Sequence, residues 1–447
     1  MSIFDKTRLT NETFKLDVER MRRGWYSDKY FENIGRMLSA LASEKYVYSG
    51  RHHNLPQDVP ADGVAVGDIE VEIQWFTRRV GNTIVVGVDK TLEMLRHCTG
   101  YFDGDRFVDT SDLLEVWAVH DGVVVKSDGN PLNAESVIKV RGRYRDFALL
   151  ETPSLGVLTR SSRVATNVYE TLTAARGKPV LFFPARFDLH EVQAADGYAY
   201  NIAIKRFNAD FSSEIGSFVS TDAQGDWWGG AGGGTVAHAA IASFLGDTAE
   251  VMMQFSRVLP AHIPRIALVD FNNDSVRDTL GAIEAMFAKY RELSDLGDEA
   301  EASKYVLYGV RLDTSGSLRD LSVEPLGDPA LDLGVTPRLV FNVRQALDSA
   351  AESWDLPPAW KDAAREYCRN VKIVVSGGFN PEKIRRFEKL GVPVDIYAVG
   401  SWLFNNNGGT VTDYTADVVR VKVHGQWIDM AKVGRKPLDN PNLERVW

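Results

Sequence analysis

Cysteine is nearly missing: only Cys98 and Cys368 occur in 447 residues. Two thiols so far apart make neither a zinc-binding pattern nor a disulfide framework, and they point to a reducing cytoplasm. Excess positive charge is missing too. The formal net charge is -10, which argues against a nucleic-acid or anionic-membrane surface and leaves any phosphate binding to local donors. No run approaches the ~18 apolar residues that a membrane-spanning helix needs. The opening stretch MSIFDKTRLTNETFKLDVERM mixes both charge signs without an apolar core, so it does not read as a secretory signal. There is no low-complexity segment and no short repeat. HExxH is absent, and no serine or cysteine is obviously paired with a histidine, which excludes a zinc-protease or hydrolase-triad pattern.

What is present is ordinary globular material. Hydrophobic residues make up 44% and charged residues 25%, on a chain long enough for two domains. Residues 1–50 read as helical. DIEVEIQWFTRR alternates like a strand, VDKTLEMLRHCTGYF returns to helix, and LEVWAVHDGVVVKS reads as two strands about a tight turn at Asp121-Gly122. We take residues 1–150 as an α+β domain, completed by a strand-like tail over 405–447.

From Glu151 onward, helices alternate with short, almost wholly apolar runs. Such runs predict parallel strands covered on both faces. PVLFFPARF ends in Arg186, RIALVDFNND in Asp270, YVLYGVRLDTSGS in Arg311 and Asp313, VKIVVSGGFN in Ser376-Gly377-Gly378, and PVDIYAVGS in Gly400-Ser401. Polar and glycine residues at successive strand ends suit the mouth of a βα barrel, although an open doubly wound sheet would also gather them on one edge. The expected fold class is therefore α/β: an N-terminal α+β domain plus an irregular, incomplete α/β barrel over 151–404.

Each motif admits two readings. VSGGFNPEKI is either a phosphate cradle of backbone N–H groups ahead of a helix or a plain strand-to-helix turn. Arg311 and Asp313 either face a ligand from one side of a strand or simply pair with each other. In VDFNNDS, Asp270 and Asp274 could bind Mg²⁺, or Asp274 could be a helix N-cap. Trp25 with Tyr26, and the DWW stretch, are core packing or a stacking platform. His238 follows the glycine ribbon GGAGGGTVAHAA, which begins at Gly229. It is either a structural histidine or a phosphoryl acceptor reached past bare backbone.

Taken together and in order, YSDKYF, ALLETPSLGVLTRSSRVAT, FPARF, GGGTVAHA, LVDFNND, GVRLDTSGS, VSGGFN and AVGSWL resemble the nicotinate phosphoribosyltransferases over most of the chain. The resemblance implies a homodimer with sites at the subunit interface. It implies transfer of phosphoribose from phosphoribosyl pyrophosphate to nicotinate, with ATP hydrolysis coupled through a phosphohistidine at His238 and Mg²⁺ on the leaving pyrophosphate. It places Tyr30 on the pyridine ring, in the neighbouring subunit's site, and Thr235 and Arg311 against nicotinate. Arg186 lies at the A-R-R strand end. Ser376, Gly377, Gly378, Gly400 and Ser401 would hold the 5′-phosphate, and Asp270 and Asp313 would lie near the ribose. The metal ligands themselves are unassigned. Phe271 and Asn272 depart from the family pattern, and RFDLHEV around His190 is less basic than expected. Asp222 stands where a nicotinamide-using relative carries an Asp. A carboxylate there would accept a bond from an amide and repel nicotinate, so nicotinamide is the rival base. A quinolinate-using relative would need more basic residues. A non-catalytic nucleotide-binding member would bind mononucleotide without turnover.

Overall fold

The computed structural model describes residues 7–447. Residues 1–6, part of the stretch read as helical, lie outside the described part. The chain forms two compact units. The first runs to Val168 and takes in Tyr198–Phe211 and Asn405–Trp447; the second comprises Tyr169–Gly197 and Ser212–Phe404. The sequence pattern had drawn the division at 150 and 404.

The first unit is built on a six-stranded antiparallel sheet in the order Gln426–Asp429, Tyr414–Val423, Glu70–Thr77, Ser136–Arg143, Glu115–Ala118, Glu444–Arg445. Ile73, Trp75, Val116, Ile138 and Val140 form its core with Leu92 and Leu95 of the helix Val88–Cys98. The Glu70–Thr77 strand does not keep the polar face its alternation suggests, because Glu72 and Gln74 are fully buried. Each is compensated. The Glu72 carboxylate accepts from Arg141 at 2.7 Å and Arg420 at 2.8 Å, while Gln74 donates to the Lys436 carbonyl at 2.9 Å and accepts from the Leu438 N–H at 2.8 Å. Buried polar groups survive only with such partners.

The expected hairpin about Asp121-Gly122 does not form. Glu115–Ala118 pairs with Ser136–Arg143, whereas Val124–Ser127 pairs with Gly81–Ile84 in a separate two-stranded sheet. The turn is present, with Gly122 at φ +93°, but Asp121 has another task. Its carboxylate accepts the N–H groups of Gly87 and Val88, at 2.8 and 2.9 Å, where the helix Val88–Cys98 begins. That pulls the two arms onto different partners.

The second unit contains five parallel strands in the order Val180–Phe182, Ile396–Val399, Lys372–Val375, Gly309–Leu312, Ile266–Leu268. Nearly every residue in them is buried, as helices on both faces require. A mixed α/β fold with parallel and antiparallel sheets was expected and is found. Among the described residues the parallel series does not close into a ring. Beyond Phe182 it continues only as isolated bridges, from Phe182 to Val219 and from Val219 to Gly232.

The helices between the strands start where the sequence offers caps. Asp274 accepts from the Arg277 N–H at 3.1 Å at the head of Ser275–Asp295, as its N-cap reading requires. Asn380 does the same for Pro381–Lys389, with the Lys383 N–H at 2.8 Å and proline at the first helical position. The Trp25 and Tyr26 pair is not core: the two are 68% and 41% exposed. Among the described residues no helix is long and apolar enough to cross a membrane.

Candidate functional site

Parallel strands in register place their C-terminal ends along one edge. Arg311 sits opposite Leu268 on one side and Val374 on the other, so the residues that follow these strands are neighbours in space. A cavity of about 520 Å³ opens there. It is lined by Arg186, Ser220, Gly233 through His238, Arg311, Asp313, Ser376 through Phe379, Gly400 and Ser401, with Phe183, Ala185, Phe187 and Ala398. Ten residues singled out from sequence therefore share one hollow: Arg186, Thr235, His238, Arg311, Asp313, Ser376, Gly377, Gly378, Gly400 and Ser401.

The polar groups are tied in a short chain. Arg311 Nη1 lies 3.6 Å from Asp313 Oδ2 and 3.4 Å from Ser376 Oγ, and its Nη2 donates to the Val236 carbonyl at 3.2 Å. Ser376 Oγ donates to Asp313 Oδ1 at 2.7 Å. The serine hydroxyl thus spends its proton on a carboxylate, which leaves the backbone N–H groups as the turn's remaining donors. The Arg311–Asp313 ion pair forms within the cavity lining, so pairing does not take either group out of the hollow. Burial pulls the Arg311 guanidinium below its ordinary value, the Asp313 and Asp270 carboxylates work against that, and nearby Arg186 adds to it.

His238 opens the short helix His238–Ser243. Its Nε2 lies 3.0 Å from both oxygens of Asp270. Burial raises the Asp270 carboxyl above the usual range, and the bond to His238 opposes the rise. A second hollow of about 320 Å³ adjoins the first and is lined by His238, Asp270, Phe271, Asn273, Asp313, Thr314, Ser315 and Leu318. His238 and Asp313 face both.

The glycine ribbon has two functions. A side chain at Gly232 would drive its Cβ to 2.6 Å from the Thr221 backbone, so glycine there serves close packing. Gly233 is also packed, since a Cβ there would come to 2.6 Å from the Phe218 ring, whereas Gly234 lines the cavity with open space at its Cα. On the opposite wall Gly377 and Gly378 adopt φ of +86° and +69°, a region that L side chains enter only with strain.

Three sequence candidates stand outside this arrangement. Asp222 is not in the lining; its Oδ1 accepts the Gly232 N–H at 2.9 Å, so its carboxylate is used inside the ribbon. His190 is exposed beside Glu191. Tyr30 belongs to the first unit, where its ring is 57% exposed and its hydroxyl contacts Asp28 Oδ2 at 3.3 Å. Sequence reasoning missed the aromatic part of the wall, Phe183, Phe187 and Phe379. In apolar strand ends such as LFFPARF and SGGFN, a wall phenylalanine looks the same as a core one.

The mixed α/β fold, with a five-stranded parallel sheet in one unit and an antiparallel sheet in the other, is shared with solved structures. Two solved structures show the likeness. The chain is similar to the nicotinate-nucleotide pyrophosphorylase from Pyrococcus furiosus at a TM-score of 0.63 and 23% identity, covering 94% of this chain and 80% of that one. It is similar to human nicotinic acid phosphoribosyltransferase at a TM-score of 0.55 and 16% identity, covering 90% and 76%. No family model and no curated protein matches the sequence.

Proposed function

We propose that the chain transfers phosphoribose from phosphoribosyl pyrophosphate to nicotinate, giving nicotinate mononucleotide and pyrophosphate, with ATP hydrolysis coupled through His238. The observation that carries this reading is the convergence of His238, Arg311, Asp313 and the Ser376–Gly378 turn on one cavity. The solved structures of the same fold that act on nicotinate or its nucleotide support it.

In the transfer step the pyridine nitrogen attacks ribose C1, the bond from C1 to the pyrophosphate oxygen breaks, and the electron pair leaves with that oxygen. Positive charge builds on the ribose in between. Asp313 is held rigid by Ser376 and Arg311, so it can stabilise that charge without reorganising. The 5′-phosphate sits on the N–H groups of Gly377, Gly378, Gly400 and Ser401. Asp270 and Asp313 are the carboxylates that would hold a Mg²⁺ carried in on the pyrophosphate, and the ion would supply charge neutralisation to the leaving group, since Mg²⁺ takes one or two carboxylates and fills its shell with phosphate oxygens and water.

The base is nicotinate rather than nicotinamide. Arg311 and Arg186 supply guanidinium to the cavity, and Asp222, the group that favoured an amide, is bonded to Gly232 instead. In the coupling step the carboxylate of Asp270 holds His238 Nε2, which leaves Nδ1 as the nucleophile. Nδ1 attacks the γ-phosphorus of ATP, the bond to the ADP oxygen breaks, and water later removes the phosphoryl group. A homodimer in which the partner's Tyr30 stacks on the pyridine accounts for that exposed ring.

Pyrophosphate release measured with nicotinate, nicotinamide and pyridine-2,3-dicarboxylate, each with and without ATP, tests the reading. Turnover with nicotinate, stimulated by ATP, is expected. Release with none of the three bases overturns it.

A further inference from the structure

The first turn of the helix Pro381–Lys389 carries a lysine with an unusual position. Lys383 Nζ reaches back to the Gly377 carbonyl at 3.4 Å and stands 4.2 Å from the centre of the Phe379 ring. It is not in the cavity lining, whereas Gly377, Gly378 and Phe379 all are. The ammonium therefore supports the glycine turn from behind, half-buried against an aromatic face.

A trans peptide points its C=O and the following N–H in opposite directions. Whatever fixes the Gly377 carbonyl fixes the Gly378 N–H, and a turn with two glycines has little stiffness of its own. We propose that Lys383 is a positioning residue for this turn: by anchoring the Gly377 carbonyl it presents the Gly378 N–H to a phosphate monoester on the other side of the peptide plane. The inference rests on the reading of the turn as a phosphate cradle.

The ammonium is costly where it stands. Burial, helped by Arg386 on the same helix, brings Lys383 down to about 8. Other charged groups face the turn. Asp313 and Arg311 do so from the neighbouring strand end. Tyr397, whose ring lies tilted against Phe379 at 5.6 Å between centroids, is bonded to Glu388, which also holds Lys178. Burial raises the Tyr397 phenol far above its usual range, so it does not titrate in the window that concerns Lys383. A phosphate in the cradle favours the charged lysine, so binding draws a proton onto Lys383. The sign follows: affinity is greatest below the free-state value and falls as pH rises through about 8. Phosphate monoesters are already dianionic above about pH 7, so the ligand contributes no titration in that window.

Ribose 5-phosphate binding to the full chain tests this by calorimetry in two buffers of different ionisation enthalpy. Wild type is expected to take up about half a proton per bound ligand near pH 8, and its Kd to rise about tenfold between about pH 7.5 and about pH 9.5. K383R, charged throughout, should bind with a flat profile and no uptake; K383M should bind about tenfold more weakly at the lower pH, also without slope. The proton count on wild type needs no variant and is immune to misfolding. Binding without uptake and with a flat profile overturns the role of Lys383 alone. Absence of ribose 5-phosphate binding at every pH overturns the cradle reading with it.

Discussion

On the proposed function, His238 carries more chemistry than any other single side chain here. A lone histidine at a helix start is usually unremarkable; this one is held by a buried carboxylate and opens onto two hollows. His238→Asn keeps much of the shape and removes the nucleophile. With γ-labelled ATP, the wild type is expected to gain acid-labile label and the variant none, with ATP stimulation of pyrophosphate release lost and the basal rate changed far less. Label that persists in the variant sinks the phosphohistidine. Arg311 offers a second test. Lysine keeps the charge but loses the planar fork that matches a carboxylate, so Arg311→Lys should raise the KM for nicotinate by about tenfold, or ~1.4 kcal/mol. Steady-state kinetics at saturating phosphoribosyl pyrophosphate read it. An unchanged KM places the base elsewhere.

At the scale of elements, turns and caps decide which groups meet. Gly377→Ala meets one obstacle, a positive φ of +86°, since its Cβ would make only an ordinary contact, 3.4 Å, with Asp313 Oδ1. We expect a loss of about 1 kcal/mol in stability, from chemical denaturation, and a larger drop in kcat/KM because relief of the strained φ re-aims the N–H groups of the turn. In the first unit, Asp121 gives a pH prediction. Burial, with Asp89 adding, pushes its carboxyl up to about 8. Its folded value lies above the unfolded one, so its contribution is complete below about pH 4 and is lost as pH climbs through about 8. Thermal melts should show the wild type losing stability over that window, and Asp121→Asn should flatten the trend. A slope that survives the substitution assigns the effect to another group.

At the scale of the whole molecule, the proposed homodimer makes a prediction that no monomer can meet. If the partner's Tyr30 completes each site, Tyr30→Ala and His238→Asn chains are each inactive in the ATP-coupled reaction. Mixing them with subunit exchange should then regain about a quarter of wild-type sites, one intact site in half of the dimers at random pairing. Zero recovery, with exchange shown by mass, counts against a shared site.

Legibility followed the range of the interactions. The buried parallel strands could be read because a run covered on both faces must be apolar over its whole length, as IVV in Lys372–Val375 and YAV in Ile396–Val399 are. The cap at Asp274 could be read as one of two alternatives because a cap acts within three residues. The strand Glu70–Thr77 misled on burial because its buried Glu72 depends on Arg141 and Arg420, 69 and 348 positions away. The hairpin at Asp121 misled for a similar reason: its arms found distant partners. By itself, then, the sequence determined the α/β class, the helix starts and which strand ends carry arginine, aspartate and glycine, because propensity and periodicity are local. The tertiary structure alone decided that Asp222 bonds Gly232, that Ser376 gives its proton to Asp313, and that Lys383 lies behind the Gly377 carbonyl. A side chain's partner is set by what packing brings within about 3 Å of it, and that distance cannot be read along a chain.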